Sequence, residues 1–352
     1  MPDRQRSLLE LPKAHLHLHF TGSMRVETVR ELADKHGLRL PQAFTTAWPP
    51  TLSGHDERGW FRFQRLYDAA RACVRDESDM RRIVREAAQD DAAEGSRWLE
   101  IQIDPTSYAP FVGGLTPALE IVLDEARVAS AATGTQVAIV VAASRMRHPL
   151  EARTLARLAA RHAGESSGTV VGFGLSNDER RGMTSDFAPA FRIAARAGLA
   201  SVPHAGELLG ADHVRVAMEY LLPDRLGHGV RAVEDESVLQ RVVDEQVTLE
   251  VCPGSNVALG VYPTMAEVPL ERLIAAGARV ALGADDPLLF GTRLTEQYTS
   301  CRLDHGFDDA AIATLARGSI EGSTAPGELK RQLLAGVDAW LDADPPTLGS
   351  AG

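Results

Sequence analysis

Residues 14–20 read Ala-His-Leu-His-Leu-His-Phe, with a histidine at every second position. Side chains alternate between the two faces of a β-strand, so this spacing predicts a strand that presents His15, His17 and His19 on one face. A single histidine that points into the core usually has hydrogen-bond partners there. Several in a row carry a large desolvation cost unless a metal or a polar network binds their ring nitrogens. The stretch therefore predicts a buried strand whose histidines lead to a metal site.

Seven further β-rich runs follow this strand, and most lead into a segment of helical periodicity. Residues 80–94 place apolar side chains on one helix face and stop at Gly95. A second helix is predicted from an N-cap at Thr116 followed by Pro117, and a third over 149–162. The seven strands are predicted over residues 98–104, 136–142, 169–175, 199–205, 225–228, 247–252 and 279–284.

Eight strands that alternate with helices indicate a parallel sheet of the α/β class, and eight strands close a (β/α)8 TIM barrel. An open doubly wound sheet fits the alternation as well. Residues 21–97 exceed what one crossover helix needs, which predicts a helical insertion between strands 1 and 2 that covers the active site. Without repeats or linkers, one domain is expected over residues 7–341, followed by a flexible tail over 342–352.

The composition excludes several classes of protein. With 44% hydrophobic residues, the chain can bury a core, but it lacks the run of about 18 apolar residues that spans a membrane. The 37 basic and 48 acidic residues give a net charge of −11, which disfavours nucleic-acid binding. Three scattered cysteines do not build a disulfide scaffold. We therefore expect a cytoplasmic protein with neither a membrane nor a nucleic acid as partner.

Ionisable residues recur at the predicted carboxyl ends of strands, where barrel enzymes carry their chemistry. The fifth strand ends at His204 with Glu207 just beyond it, the sixth ends at His228, and the eighth leads into Asp285 and Asp286. Alone, His228 could end a strand and the aspartate pair could begin a turn. Together with the histidines of the first strand, neutral imidazoles and a carboxylate form a ligand set that suits zinc with an open position for water.

The lysines bear on the number of metal ions. Binuclear barrel hydrolases commonly bridge two metals with a modified lysine on the fourth strand, and residues 169–175 contain none. The chain has only Lys13, Lys35 and Lys330, none of them at a later strand end. One zinc ion per chain is therefore expected.

Five short motifs stand at or near the predicted strand ends. They are H-x-H-x-x-G-S at 17–23, H-A-G-E at 204–207, L-G-H-G at 226–229, E-V-C-P-x-S-N at 250–256 and D-D-P at 285–287. In this order they resemble the adenosine deaminase family of the amidohydrolase superfamily, and the resemblance covers residues 11–334. The chain does not match the other zinc deaminase class, with H-x-E and P-C-x-x-C, because no two cysteines are close in sequence.

The resemblance implies a role for each of these side chains. Glu207 would protonate the purine ring nitrogen next to the attacked carbon, and His228 would orient and deprotonate the attacking water. Asp286 would hydrogen-bond N7 of the purine. His15 stands where the family usually has Glu, so it is expected to support the site or the core without binding metal. The implied zinc ligands are His17, His19, His204 and Asp285.

Three departures from the family's pattern concern the substrate. Thr21 replaces an acid that, in adenosine deaminases, hydrogen-bonds the 5′-hydroxyl of ribose. Asn177 replaces a glycine whose backbone N–H meets the purine. The third departure is the positive charge of residues 60–67, where the family has a hydrophobic lid helix. Phe63 and Tyr67 of this stretch are expected to contact substrate, although a solvated helix face with core aromatics also fits it.

The arginines at positions 62 and 65 complete the substrate hypothesis, since they could pair with a carboxylate. This pattern resembles the aminodeoxyfutalosine deaminases, whose substrate carries a benzoate-ended chain in place of the 5′-hydroxyl. The expected activity is zinc-dependent deamination at C6 of a 5′-modified adenine nucleoside, with 6-aminodeoxyfutalosine giving futalosine and ammonia in menaquinone biosynthesis. The expected partner is thus a small adenine nucleoside, and the oligomeric state is left open.

Three alternatives remain. The first is an adenosine deaminase of purine salvage. The second is a metal-dependent hydrolase of another bond, such as a lactone or an amide, which the presence of Glu207 and Asp286 disfavours. The third is a non-catalytic purine-nucleoside-binding relative, which the complete set of predicted ligands disfavours.

Overall fold

The computed structural model describes residues 6–54 and 57–343. Within them, eight strands form one parallel sheet in which each strand pairs with the next along the chain. The strands are β1 (Lys13–His19), β2 (Ser96–Ile103), β3 (Gln136–Ser144), β4 (Val170–Ser176), β5 (Ala200–Ala205), β6 (Arg225–His228), β7 (Thr248–Val251) and β8 (Val280–Leu282).

The sheet closes on itself just beyond β8. The backbone N–H of Asp285 donates to the carbonyl of His17, and the N–H of His19 donates to the carbonyl of Asp285, both at 3.0 Å. Side chains on the outer faces of the strands pack against the surrounding helices, and a smaller apolar cluster that includes Leu16 and Trp98 fills the barrel interior. The prediction of a (β/α)8 barrel is confirmed.

Helices surround the barrel, and α1 to α4 lie between β1 and β2, within the predicted insertion. Among the described residues, no helix combines the length and apolar character needed to cross a membrane. The helices are α1 (Val26–Lys35), α2 (Gln42–Thr45), α3 (Glu57–Arg71), α4 (Glu77–Ala93), α5 (Ala109–Val112), α6 (Leu115–Thr133), α7 (Pro149–Arg161), α8 (Ala188–Ala195), α9 (Ala211–Leu221), α10 (Glu236–Asp244), α11 (Pro253–Ala258), α12 (Leu270–Ala275), α13 (Pro287–Phe290), α14 (Leu294–Leu303), α15 (Asp309–Gly322) and α16 (Gly327–Asp342).

Three predicted boundaries were wrong. Helix α4 begins earlier than residue 80, because Asp76 caps it by accepting a hydrogen bond from the N–H of Asp79. Thr116 lies inside α6 and is not its N-cap. The N-cap is Gly114, whose φ of +135° turns the chain in a way open to glycine. Asp342, assigned to the tail, is the last residue of α16, and residues 344–352 of that tail lie outside the described residues.

Strand β1 does not keep a strict alternation of faces. His15 pairs with Leu99 of β2, whereas Leu18 pairs with Ile101, so β1 has one extra residue between the two pairs. Such a bulge re-aims the side chains that follow it.

The bulge places His15 on the opposite face from the other two histidines. Its Nδ1 hydrogen-bonds Asp91 of α4 at 2.9 Å, and its Nε2 accepts the N–H of Ala284 at 3.0 Å. Of the three histidines of β1, His17 and His19 face the barrel interior and His15 does not. The prediction of three histidines on one inner face was therefore wrong, whereas His15 does lie apart from the candidate metal ligands.

Candidate active site

Three imidazoles and one carboxylate converge at the carboxyl end of the barrel. His19 Nε2 lies 3.2 Å from His204 Nε2 and 3.2 Å from Asp285 Oδ1. His17 Nε2 lies 3.5 Å from the same Asp285 oxygen. The strands β1, β5 and β8 all end at the carboxyl rim of the barrel, from which their side chains point toward a common centre, so the barrel brings all four predicted zinc ligands together.

The donor atoms of this cluster fit a divalent metal. His17 Nε2 is buried and has no hydrogen-bond partner in the described structure, as expected of a lone pair kept for a metal. Burial alone would lower the pKa of His17, but the nearby carboxylates of Asp285 and Glu250 raise it to about 10, so the site attracts positive charge. Three imidazole nitrogens and one carboxylate oxygen form a set typical of zinc.

Glu250 on β7 holds His17 from the other side of the ring. Glu250 Oε2 accepts a hydrogen bond from His17 Nδ1 at 2.7 Å, which directs the Nε2 lone pair into the cluster. Glu250 Oε1 accepts from Arg225 Nε at 2.6 Å, and Arg225 also donates to Glu100. These side chains are fully buried, so a network of paired charges holds the His17 ring on the side that faces away from the cluster.

Glu207 and His228 lie beside the cluster, and burial shifts the pKa of each side chain. Burial raises the pKa of Glu207 well above its usual range, and the Asp285 carboxylate adds to the shift. Burial lowers the pKa of His228 to about 4. His228 Nε2 lies 3.7 Å from Glu207 Oε1 and 3.9 Å from Asp285 Oδ2. A carboxylic acid able to give a proton thus stands next to a neutral imidazole able to take one.

Several site residues adopt a left-handed backbone at strand ends. Asn177, His228 and Asp285 have φ angles of 81°, 63° and 61°. Asparagine tolerates this conformation better than most residues, so Asn177 can stand where the resemblance leads one to expect glycine. Strained backbone of this kind clusters at functional sites, where it aims side chains.

Asp286 and Thr21 line the cavity into which the cluster opens. Burial and the neighbouring Asp285 raise the pKa of Asp286 well above its usual range. A Cβ at Gly22 would lie 1.7 Å from Asp286 Oδ1, so only glycine leaves room for this carboxyl. Thr21 hydrogen-bonds the hydroxyl of Tyr108, a residue that the sequence analysis missed. Its only sequence signal is its place shortly after β2.

The cavity above the cluster has a volume of about 510 Å³. Phe63 and Tyr67 of α3 both line it, and Phe63 stacks on Phe290 with ring centroids 5.7 Å apart. The predicted site residues that line it are His19, Thr21, Phe63, Tyr67, Asn177, His204, Glu207, His228, Asp285 and Asp286.

The arginines near the cavity are not the ones that the sequence suggested. The side chains at positions 62 and 65 are exposed and lie outside the cavity lining, because they occupy the outer face of α3. Arg71, Arg147 and Arg181 line the cavity instead. Arg71 lies one turn beyond Tyr67 on the same helix face, with its guanidinium 5.7 Å from that ring.

Comparison with known proteins identifies the class. The chain belongs to the adenosine deaminase family, whose model, described as "Adenosine deaminase", matches residues 12–340. The family assignment inferred from the motifs is thereby confirmed, and with it hydrolytic deamination of adenine-containing compounds.

Individual relatives agree with this class. The chain is 61% identical over 345 residues to a "Putative adenosine/adenine deaminase" of Streptomyces coelicolor, covering 97% of this chain and 100% of that one. It is 34% identical over 330 residues to an adenine deaminase of Rhizobium leguminosarum bv. trifolii, covering 93% and 99%. A solved adenine deaminase from Arthrobacter aurescens superposes with a TM-score of 0.87 at 31% identity, covering 95% and 100%.

Proposed function

We propose that this chain catalyses zinc-dependent hydrolytic deamination at C6 of an adenine nucleoside modified at its 5′ end. The substrate we favour is 6-aminodeoxyfutalosine, converted to futalosine and ammonia in menaquinone biosynthesis. The observation that carries the reaction type is a protonatable carboxyl, Glu207, buried beside three converging imidazoles and Asp285. A relative that only bound nucleosides would not need this arrangement.

The cluster supplies the site for the metal. His17, His19, His204 and Asp285 would hold one zinc ion, which when bound makes water nucleophilic at neutral pH. His17 is kept in the ligand tautomer by Glu250. His228, neutral because of its burial, takes the proton that the attacking water loses.

The remaining residues act on the purine ring. Attack at C6 breaks aromaticity and moves electrons onto the adjacent ring nitrogen, so Glu207 donates its proton there. Asp286, whose pKa is also raised, can donate a hydrogen bond to N7, which is an acceptor. The backbone N–H of Asn177 faces the ring in our proposal, as the family's glycine does. The amine then leaves as ammonia, carrying the proton that His228 returns. The hydroxyl left on C6 becomes a carbonyl, and its proton restores the Glu207 acid.

Thr21 supports a substrate modified at its 5′ end. A carboxylate in its place would repel an anionic substituent about 4 Å away by about 4 kcal/mol at an effective dielectric of ~20, close to a thousandfold in affinity. Threonine removes that repulsion. Arg71 and Arg147 line the cavity, paired with Asp68 and Glu151, and in our proposal their guanidinium groups also bind the substrate carboxylate. The cavity volume of about 510 Å³ falls within the range of roughly 300–1,000 Å³ found for small-molecule sites.

Adenine and adenosine are the second candidates, because the relatives at 34% and 31% identity are named adenine deaminases. The test is the loss of adenine's ultraviolet absorbance with adenine, adenosine and 6-aminodeoxyfutalosine in parallel. We expect kcat/KM for 6-aminodeoxyfutalosine to exceed that for adenosine at least ~10-fold, about 1.4 kcal/mol. Thr21→Asp should reduce or reverse the ratio of kcat/KM for 6-aminodeoxyfutalosine to that for adenosine. Thr21→Asn is the control, because asparagine has the size of aspartate without its charge.

The outcomes separate the candidates. Faster turnover of adenosine or adenine by the parent enzyme overturns the 5′-modified substrate and supports the corresponding alternative. Deamination of none of the three compounds by zinc-loaded protein overturns the proposed function as a whole.

A further inference from the structure

A single carboxylate oxygen organises the loop that carries Glu207. Glu179, three residues beyond β4, accepts hydrogen bonds at one oxygen, Oε2, from three successive backbone N–H groups. The donors are Glu207 at 3.1 Å, Leu208 at 2.6 Å and Leu209 at 2.8 Å. Gly206, with φ of +74°, turns the chain so that these groups point the same way.

The second oxygen of Glu179 connects this loop to helix α9 and, through it, to the residue that follows β3. Glu179 Oε1 accepts from His213 Nδ1 at 3.1 Å, and His213 Nε2 lies 3.0 Å from Thr184 Oγ1. Arg145, at the end of β3, donates to Thr184 at 2.8 Å and to the carbonyl of His204 at 2.6 Å. Hydrogen bonds thus fix the main chain of the segment 204–209 at both ends, at His204 through Arg145 and at residues 207–209 through Glu179.

Glu179 is well suited to this contact because it stays ionised. Burial alone would raise its pKa, but His213, Arg145 and the backbone donors lower the pKa of Glu179 to about 2. A carboxylate that accepts several backbone N–H bonds makes stronger hydrogen bonds than a neutral acceptor.

The Glu207 side chain depends on this backbone support. Within residues 6–54 and 57–343, no side chain hydrogen-bonds the Glu207 carboxyl, and its contact to His228 Nε2 is 3.7 Å long. The direction of the carboxyl therefore follows from where the main chain of Glu207 is held. A misplacement of about 1 Å can cost on the order of 10²-fold in rate.

We infer that Glu179 is a positioning residue, which holds the main chain of Glu207 so that the carboxyl reaches the purine ring. The inference rests on the proposed function, in which Glu207 is the proton donor. Glu179 itself does not touch the substrate in this inference.

Two variants separate the position of the acceptor from its charge. Glu179→Asp keeps the charge but moves the acceptor by one methylene, and we expect kcat to fall at least ~10-fold with KM within ~3-fold of the parent. Glu179→Gln keeps an acceptor oxygen in place, and we expect it to retain more activity than Glu179→Asp. Glu125→Ala, which removes a buried carboxylate between α6 and the arginines of α4, is the control and should leave kcat unchanged.

A double-mutant cycle then tests the route of the effect, with zinc content and Tm measured for every variant. In the Glu207→Gln background the positioned acid is gone, so Glu179→Asp should cause no further loss beyond ~2-fold. An equal loss in both backgrounds overturns the inference, as does a Glu179→Asp enzyme within ~3-fold of the parent. If Glu207→Gln itself keeps the activity of the parent, the proposed role of Glu207 fails instead.

Discussion

Replacing Glu250 by glutamine tests how the barrel interior prepares the candidate metal site. Glu250 now accepts one hydrogen bond from His17 Nδ1 at 2.7 Å and one from Arg225 Nε at 2.6 Å, on different oxygens. A glutamine in the same position has one acceptor oxygen, and its NH₂ group must face the other donor. One buried donor is then unpaired, which costs about 1–3 kcal/mol.

The second orientation of the glutamine amide, with its NH₂ group toward His17, is the one that disfavours zinc binding. If the amide NH₂ faces His17, that ring must accept at Nδ1 and carry its proton on Nε2, the atom that points into the cluster. Loss of such a partner behind a metal-bound histidine typically weakens metal affinity 10–100-fold, about 1.4–2.7 kcal/mol. We therefore expect Glu250→Gln to lose zinc affinity by this factor and to melt at a lower temperature than the parent.

The assay is competition for zinc between the apoprotein and a chromophoric chelator at neutral pH. Glu125→Gln is the matched control, because Glu125 is also buried and bonded to arginine but lies outside the barrel interior, between α4 and α6. Its zinc affinity should equal that of the parent. A Glu250→Gln protein that folds and binds zinc as tightly as the parent would refute the argument that Glu250 sets the tautomer of His17.

Three further outcomes follow from the site. Glu207→Gln should retain zinc but lose at least ~10²-fold in kcat, because an amide cannot give up a proton; activity within a few-fold of the parent would contradict the assignment. Metal analysis should find one zinc per active chain, and Asp285→Ala should remove it; two equivalents would refute the single-metal prediction. Because its pKa falls from 4.5 to about 2 on folding, Glu179 adds stability that is complete above about pH 4.5 and lost as the pH falls toward 2. Glu179→Gln should flatten the acid side of a plot of Tm against pH, and an unchanged slope would count against this linkage.

Local sequence was enough for the barrel and for much of the candidate site. Most strands are short runs of β-forming residues followed by a helical segment, and this pattern depends on neighbouring residues alone. Parallel strands in a barrel all end at the same edge, so residues at several strand ends can be expected to meet. This is why His204, His228 and Asp285 could be placed together although they lie far apart in the chain.

Other features depend on pairing and packing between distant segments. The bulge in β1 arises from its register with β2, so the alternation of histidines alone put His15 on the wrong face. The arginine of α3 that lines the cavity, Arg71, is selected by how α3 packs over the barrel, which the charge of the helix does not reveal.

The support behind the site is likewise a tertiary property. Glu179 reaches the N–H groups of residues 207–209, and Glu250 reaches His17, across gaps of 28 to 30 and 233 positions. Sequence alone determined which residue types stand at the strand ends, because that requires only local pattern. The tertiary structure decided which way they point and what holds them, because hydrogen-bond partners are chosen by distance in space and not by distance along the chain.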